Sequence, residues 1–227
     1  MWWGNRNRMK ILFYFIRHGQ TDWNLAHRIQ GAKDIPLNET GRKQARMLAE
    51  GMKDRPVDSV YTSPLLRARE TAQYVADYQG VQVYMVRGLE EINYGEWEGL
   101  TMRQVRFFHP IAYRKWWKDP VCGAPPGGES QMDVVKRTAG AMEAVKQHIL
   151  LSGAEESDKP GKIKAAAVVL HGASLVCLLQ WLLRDEGVLE ESMAVENTSI
   201  TTLEWDTDED RFRLLGINDV RHLGGNE

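Results

Sequence analysis

Two kinds of hydrophobic run alternate along the chain. Ile11–Ile16 and Ala165–Leu170 are short, unbroken apolar stretches, and each ends in a histidine and a glycine, as Arg17-His18-Gly19 and as His171-Gly172. Runs of this length, apolar on both faces, read as buried strands of a parallel sheet. Val57–Tyr61 and Val81–Val86 predict two more strands, and Ile200–Trp205 with Arg211–Gly216 predict a hairpin across the acidic turn Asp206–Asp210.

Between the strands the spacing becomes helical. Asn38 caps a predicted helix over Glu39–Lys53, with Ala45, Leu48, Ala49 and Met52 on one face. Ser63-Pro64 reads as N-cap and first residue of a helix whose apolar face carries Leu65, Ala68, Ala72, Val75 and Ala76. Thr101–Trp117 predicts two short helices broken at His109-Pro110, and Cys122–Gly128 a Pro/Gly loop. Ser130, with Asp133 three residues on, caps a long helix. Ser152–Gly161 reads as an exposed loop. Ala173–Arg184 is apolar almost all round, which fits a deeply buried helix or a subunit contact.

Strands alternating with helices predict an α/β fold, a three-layer α/β/α sandwich around a central, mostly parallel sheet. One domain over residues 1–227 is the economical division. Residues 1–8 are expected to be a flexible extension, with Met9 a competing start to Met1, and 100–127 an insertion beside the active site. In such sheets ligands bind at the carboxyl ends of the strands. His18 and His171 can therefore share one site, and the arginine before His18 points to a phosphate-like anion there.

Composition narrows the setting. The 227 residues are 43% hydrophobic and 26% charged, ordinary for a globular chain. A net charge of -2 gives no global basic field for nucleic acid or acidic membrane. The first apolar run is too short for a signal peptide or a membrane span. Cys122 and Cys177 have neither metal-ligand nor disulfide-framework spacing, and free thiols suit a reducing, cytoplasmic compartment.

The chemistry-bearing segments form a series. Arg17-His18-Gly19-Gln20-Thr21-Asp22-Trp23-Asn24 is followed by Arg28-Ile29-Gln30-Gly31 and Asp34-Ile35-Pro36-Leu37-Asn38-Glu39-Thr40-Gly41. Thr62-Ser63-Pro64-Leu65-Leu66-Arg67-Ala68-Arg69-Glu70-Thr71-Ala72 and Leu89-Glu90-Glu91-Ile92-Asn93-Tyr94-Gly95-Glu96-Trp97-Glu98-Gly99 come next, then Pro126-Gly127-Gly128-Glu129-Ser130 and His171-Gly172. In this order they resemble the histidine phosphatase (phosphoglycerate mutase-like) superfamily over nearly the whole chain.

The resemblance implies a phosphomonoesterase working through a phosphohistidine. It assigns the nucleophile to His18, the phosphate contacts to Arg17, Asn24, Arg67 and His171, and the general acid to Glu91, with Glu90 the competing choice. A neutral imidazole can attack phosphorus, guanidinium forks suit the equatorial oxygens, and a carboxylic acid can protonate the leaving oxygen. His171, protonated with phosphate bound, would add a third positive group. No metal or cofactor is called for, and the expected partner is a small-molecule phosphate ester.

The Tyr94–Gly99 run and the tail around Asn218–Leu223 resemble phosphatase-type members more than mutases. Phe107, Phe108, Trp116 and Trp117 are expected either to wall the site or simply to pack the insertion. A cofactor-dependent phosphoglycerate mutase is the alternative, and a non-catalytic phospho-ligand binding module a second one. A dimer and a monomer both fit the apolar Ala173–Arg184 helix.

Overall fold

The computed structural model describes residues 9–152, 164–186 and 195–224. The 1–8 extension and most of the Ser152–Gly161 loop lie outside the described residues.

Six strands, β1 (Lys10–Arg17), β2 (Ser59–Thr62), β3 (Val83–Met85), β4 (Lys164–Leu170), β5 (Ile200–Asp206) and β6 (Arg211–Asp219), form one sheet in the order β3-β2-β4-β1-β5-β6. The first four in that order run parallel; β5 is antiparallel to β1, and β6 to β5. The sheet is mostly parallel, as the apolar runs predict.

The period of two along β1 and β4 divides one continuous apolar run between two cores. Phe13, Phe15, Val168 and Leu170 face α6 (Gln131–Ser152) and α7 (Gly172–Leu182), against Met142, Val145, Leu175 and Leu178. Tyr14, Ile16, Ala167 and Val169 face α2 (Glu39–Gly51) and α3 (Leu66–Gln79), against Leu48, Ala72 and Val75. Helices on both faces make the three-layer sandwich. Removing Phe13, fully buried, would cost roughly 3–5 kcal/mol.

Register explains why two distant histidines meet. Arg17 of β1 is paired with Leu170 of the adjacent parallel β4, so both chains leave the sheet side by side at their carboxyl ends. The His18 N–H donates to Leu170 O at 3.0 Å, and Ser63, just beyond β2, donates its N–H to Val169 O at 3.0 Å.

Several boundaries differ from the pattern. β3 pairs only over Val83–Met85, because it lies at the sheet edge beside the short β2. α2 ends at Gly51 with Met52 as its cap, while Asn38 caps its start through Gly41 N–H at 2.8 Å. Ser63 does not cap α3. That helix begins at Leu66, whose N–H reaches Asp34 Oδ1 at 2.6 Å, a partner supplied by a distant loop. The 100–127 segment folds as α4 (Met102–Phe108) and α5 (Pro110–Lys118), separated at His109 with Pro110 at the start of the second. Ser130 and Asp133 cap α6 reciprocally. A four-residue helix, α1 (Asp22–Leu25), follows the Arg17-His18-Gly19 turn.

Candidate active site

A cavity of about 510 Å³ opens at the carboxyl ends of β1 and β4, and Arg17, His18, Asn24, Arg67 and Glu91 all line it. His171 stands directly behind, fully buried, with its ring 5.1 Å from that of His18.

His18 is 2% exposed and held on three sides. Its Nδ1 lies 2.7 Å from Gly19 O, and Arg67 Nε donates to its Nε2 at 3.3 Å. Both contacts require the same tautomer: the proton on Nδ1, and on Nε2 a lone pair. Burial first, then the charges of Arg67 and Arg17, hold the ring well below the ordinary imidazole range, so it is neutral. Its backbone is fixed by Asn197 Nδ2, which donates to His18 O at 2.9 Å. Gly19 belongs here because an added Cβ would stand 2.6 Å from Gly41 O.

Arg67 is fully buried at the start of α3. Its Nη1 and Nη2 donate to Lys33 O at 2.7 Å and Gly31 O at 2.9 Å, so two backbone carbonyls aim the guanidinium. Arg17 donates Nη1 to Val195 O and buries an Nε–H that finds no partner among the described residues. Arg17 lines the cavity as well, and a guanidinium with donors to spare suits an anion there. Asn24 Oδ1 accepts from the Thr21 backbone N–H and hydroxyl at 3.1 Å each, leaving its amide N–H₂ as the end available to a ligand.

His171 shares the electrostatic setting of His18. Burial first, then Arg67, His18, Arg137 and Arg17, hold it well below the ordinary range, so this ring too is neutral. A third cation beside two guanidiniums is unfavourable until an incoming anion offsets it. Ser63 Oγ lies 2.8 Å from His171 Nε2, while the buried His171 Nδ1 finds no partner among the described residues.

Glu91 is at the site and Glu90 is not. Glu90 Oε2 accepts from Gly88 N–H at 2.6 Å and serves the turn. Glu91 crosses to the start of α7, which lacks a side-chain cap of its own. Its Oε1 accepts from Ile92 N–H at 2.9 Å and Ser174 N–H at 2.8 Å, and its Oε2 from Ala173 N–H at 3.1 Å. Three backbone N–H groups, two of them from the first turn of α7, thus fix the position of the carboxyl group.

Of Phe107, Phe108, Trp116 and Trp117, only Trp116 lines the cavity. It packs edge-on to the buried Trp97 at 5.6 Å, whereas Phe107, Phe108 and Trp117 are 78%, 61% and 68% exposed. The apolar lining thus includes Trp116, Ile29, Ile92, Tyr94, Val176 and Cys177. Burial, then Glu91, pushes the Cys177 thiol up to about 11, so the sulfur is a neutral surface. His148 packs against both Tyr61 and Tyr84, His109 lies 3.8 Å from Glu96, and His222 contacts Thr198; none of the three lines the cavity.

Residues not singled out for the site also reach the cavity. Gln30 is nearly buried, with an unpartnered Oε1, and Arg28 stands at the exposed mouth with Nη1 on Gly99 O. Both lie in the Arg28-Ile29-Gln30-Gly31 segment, where the signal was present as a motif without an assigned role. Among the described residues no three His, Cys, Asp or Glu side chains converge as metal ligands.

Comparison with known proteins gives the same picture. The chain is 36% identical over 170 residues to the glucosyl-3-phosphoglycerate phosphatase of Mycobacterium tuberculosis, covering 74% of each chain. It is 30% identical over 196 residues to a probable phosphoglycerate mutase of Photorhabdus laumondii, covering 85% of this chain and 84% of that one. Among solved structures it resembles YhfR of Bacillus stearothermophilus with a TM-score of 0.79 and 31% identity, covering 94% of this chain and 99% of that one. It resembles the mycobacterial glucosyl-3-phosphoglycerate phosphatase in complex with VO3 with a TM-score of 0.75 and 31% identity, covering 92% and 99%. The sequence profile of that wider group matches residues 13–219, and the chain belongs to the histidine phosphatase superfamily (branch 1).

Proposed function

We propose that the protein is a phosphomonoesterase that hydrolyses a small organic phosphate through a phosphohistidine on His18. The observation that carries this reading is the His18 ring: neutral, fixed in one tautomer, its Nε2 held by the Arg67 Nε–H in the wall of a cavity that Arg17 and Arg67 also line.

In the first step His18 Nε2 attacks phosphorus, and the ester P–O bond breaks with its electron pair going to the leaving oxygen. Arg17 and Arg67 hold the equatorial oxygens as charge shifts among them. Asn24 adds its amide donor, and His171 the Nδ1 that finds no partner among the described residues. The leaving oxygen takes a proton from Glu91. Oε2 is the oxygen for that proton, since it accepts one long hydrogen bond where Oε1 accepts two. In the second step water attacks the phosphohistidine, the P–N bond breaks back to Nε2, and Glu91 recovers the proton from water.

The relatives include enzymes named as phosphatases, among them the mycobacterial glucosyl-3-phosphoglycerate phosphatase and phosphoserine phosphatase 1 of Hydrogenobacter thermophilus. They support a hydrolase acting on a small phosphate ester. The similarity to a probable mutase keeps one second reading, in which a phosphoglycerate rather than water takes the phosphoryl group. A cytoplasmic setting accords with two free cysteines, one exposed, and among the described residues no helix is long and apolar enough to cross a membrane.

The test is phosphate release from a panel of sugar, hydroxy-acid and aryl phosphates, with His18→Ala as control. His18-dependent release supports the hydrolase. Exchange between 2- and 3-phosphoglycerate with little phosphate release supports the mutase, and silence in both assays leaves the binding-module reading.

A further inference from the structure

Arg137, in the second turn of α6, does not line the cavity, and apart from its charge near His171 it has no role above, yet all five of its N–H donors are committed. Nε and Nη2 grip the two oxygens of Glu129 at 2.8 and 2.9 Å. Nη1 donates to Gly88 O at 2.9 Å and Glu90 O at 2.7 Å, and Nη2 to Glu91 O at 3.0 Å. Glu129 continues the ring. Its Oε2 accepts from Asn93 N–H at 2.8 Å, and its own N–H donates to Asn93 O at 2.8 Å. The segment from Gly88 to Asn93 is therefore tied at both ends, with Glu91 between the ties.

A guanidinium saturated by three carbonyls of one turn, those of residues 88, 90 and 91, and by a bidentate carboxylate is a geometric device. The two side chains are 22% and 26% exposed, so this is not an ion pair of the deep core. Its position matters because the fork fixes the peptide units on either side of Glu91.

We propose that Arg137 and Glu129 are positioning residues for Glu91, setting its backbone so that the carboxyl meets the leaving oxygen. The proposal rests on the phosphohistidine reading with Glu91 as the acid. Neither residue touches substrate. A lysine at position 137 keeps the charge but cannot reach three carbonyls and a carboxylate together.

The experiment compares an alkyl phosphate, whose alkoxide needs a proton to leave, with an aryl phosphate, whose phenolate does not. Wild type, Arg137→Lys and Glu129→Gln are measured, and then both substitutions again in a Glu91→Gln background. Arg137→Lys is expected to lower kcat on the alkyl ester by about tenfold or more and on the aryl ester by less than about threefold, with KM little changed. In the Glu91→Gln background it should cost less than about twofold, because the acid it positions is already gone. Glu129→Gln keeps the side-chain shape and should repeat the pattern at smaller size, so the answer does not hang on the folding of one variant. Equal losses on both esters, or an undiminished loss in the Glu91→Gln background, would overturn the proposal and leave the clamp a fold support. A wild type that releases phosphate from neither ester would refute the hydrolase reading itself, and this proposal with it.

Discussion

Replacing Arg67 with lysine separates charge from geometry at the centre of the site. Arginine has five N–H donors. The structure spends three of Arg67's on His18 Nε2, Lys33 O and Gly31 O, leaving two for a phosphoryl oxygen. Charge-assisted hydrogen bonds are worth about 1.5–3 kcal/mol each, so losing both from the transition state removes roughly 3–6 kcal/mol. That is about a hundredfold to ten-thousandfold in kcat/KM, and the retained lysine charge favours the lower end. The two stranded carbonyls should also lower folding stability by roughly 2–3 kcal/mol. Steady-state kinetics on an aryl phosphate gives the first quantity and urea unfolding the second. Vanadate inhibition, which reports on the five-coordinate geometry, should weaken in step with kcat/KM. A folded Arg67→Lys enzyme within about tenfold of wild type would show that the guanidinium is structural, and the electrostatic reasoning would fail.

Two further outcomes follow from the site. His18 and His171 both lie well below the ordinary imidazole range in the fold and return to about 6.5 on unfolding, so below that pH the unfolded chain binds more protons. The stability they contribute is complete above roughly pH 6.5 and is lost as pH falls towards the folded values, by up to about 1.4 kcal/mol per pH unit for each ring. Urea midpoints should therefore drop below that pH, and His171→Asn should flatten the slope; an unchanged slope would contradict the burial account. Trp116→Ala should raise KM about fivefold for esters with bulky leaving groups, from loss of roughly 1 kcal/mol of ring contact, while Phe108→Ala leaves KM alone; the opposite ranking would put the leaving group on the other side of the insertion.

What could be read from the sequence was mostly local. β1 and β4 were visible because a strand buried on both faces must be apolar throughout, and the terminal His-Gly of each marked the edge where ligands bind. The helix caps at Asn38 and Ser130 were visible because cap and partner lie three residues apart. Ser63 misled because its oxygen serves His171, and Leu66 N–H is satisfied by Asp34, a contact no local pattern encodes. The aromatics of 100–127 were countable, but helix phase decided that Trp116 faces in and its neighbours out. Arg137 went unseen because its partners are mostly backbone carbonyls, which leave no trace in side-chain composition.

The most direct measurement is rapid acid-free quenching of wild-type enzyme during turnover of an aryl phosphate, followed by mass spectrometry of the peptide that contains His18. An acid-labile, base-stable phosphoryl group on His18, absent from His18→Ala, is the predicted result. An active enzyme that never carries phosphate on His18, or carries it on another residue, would contradict it.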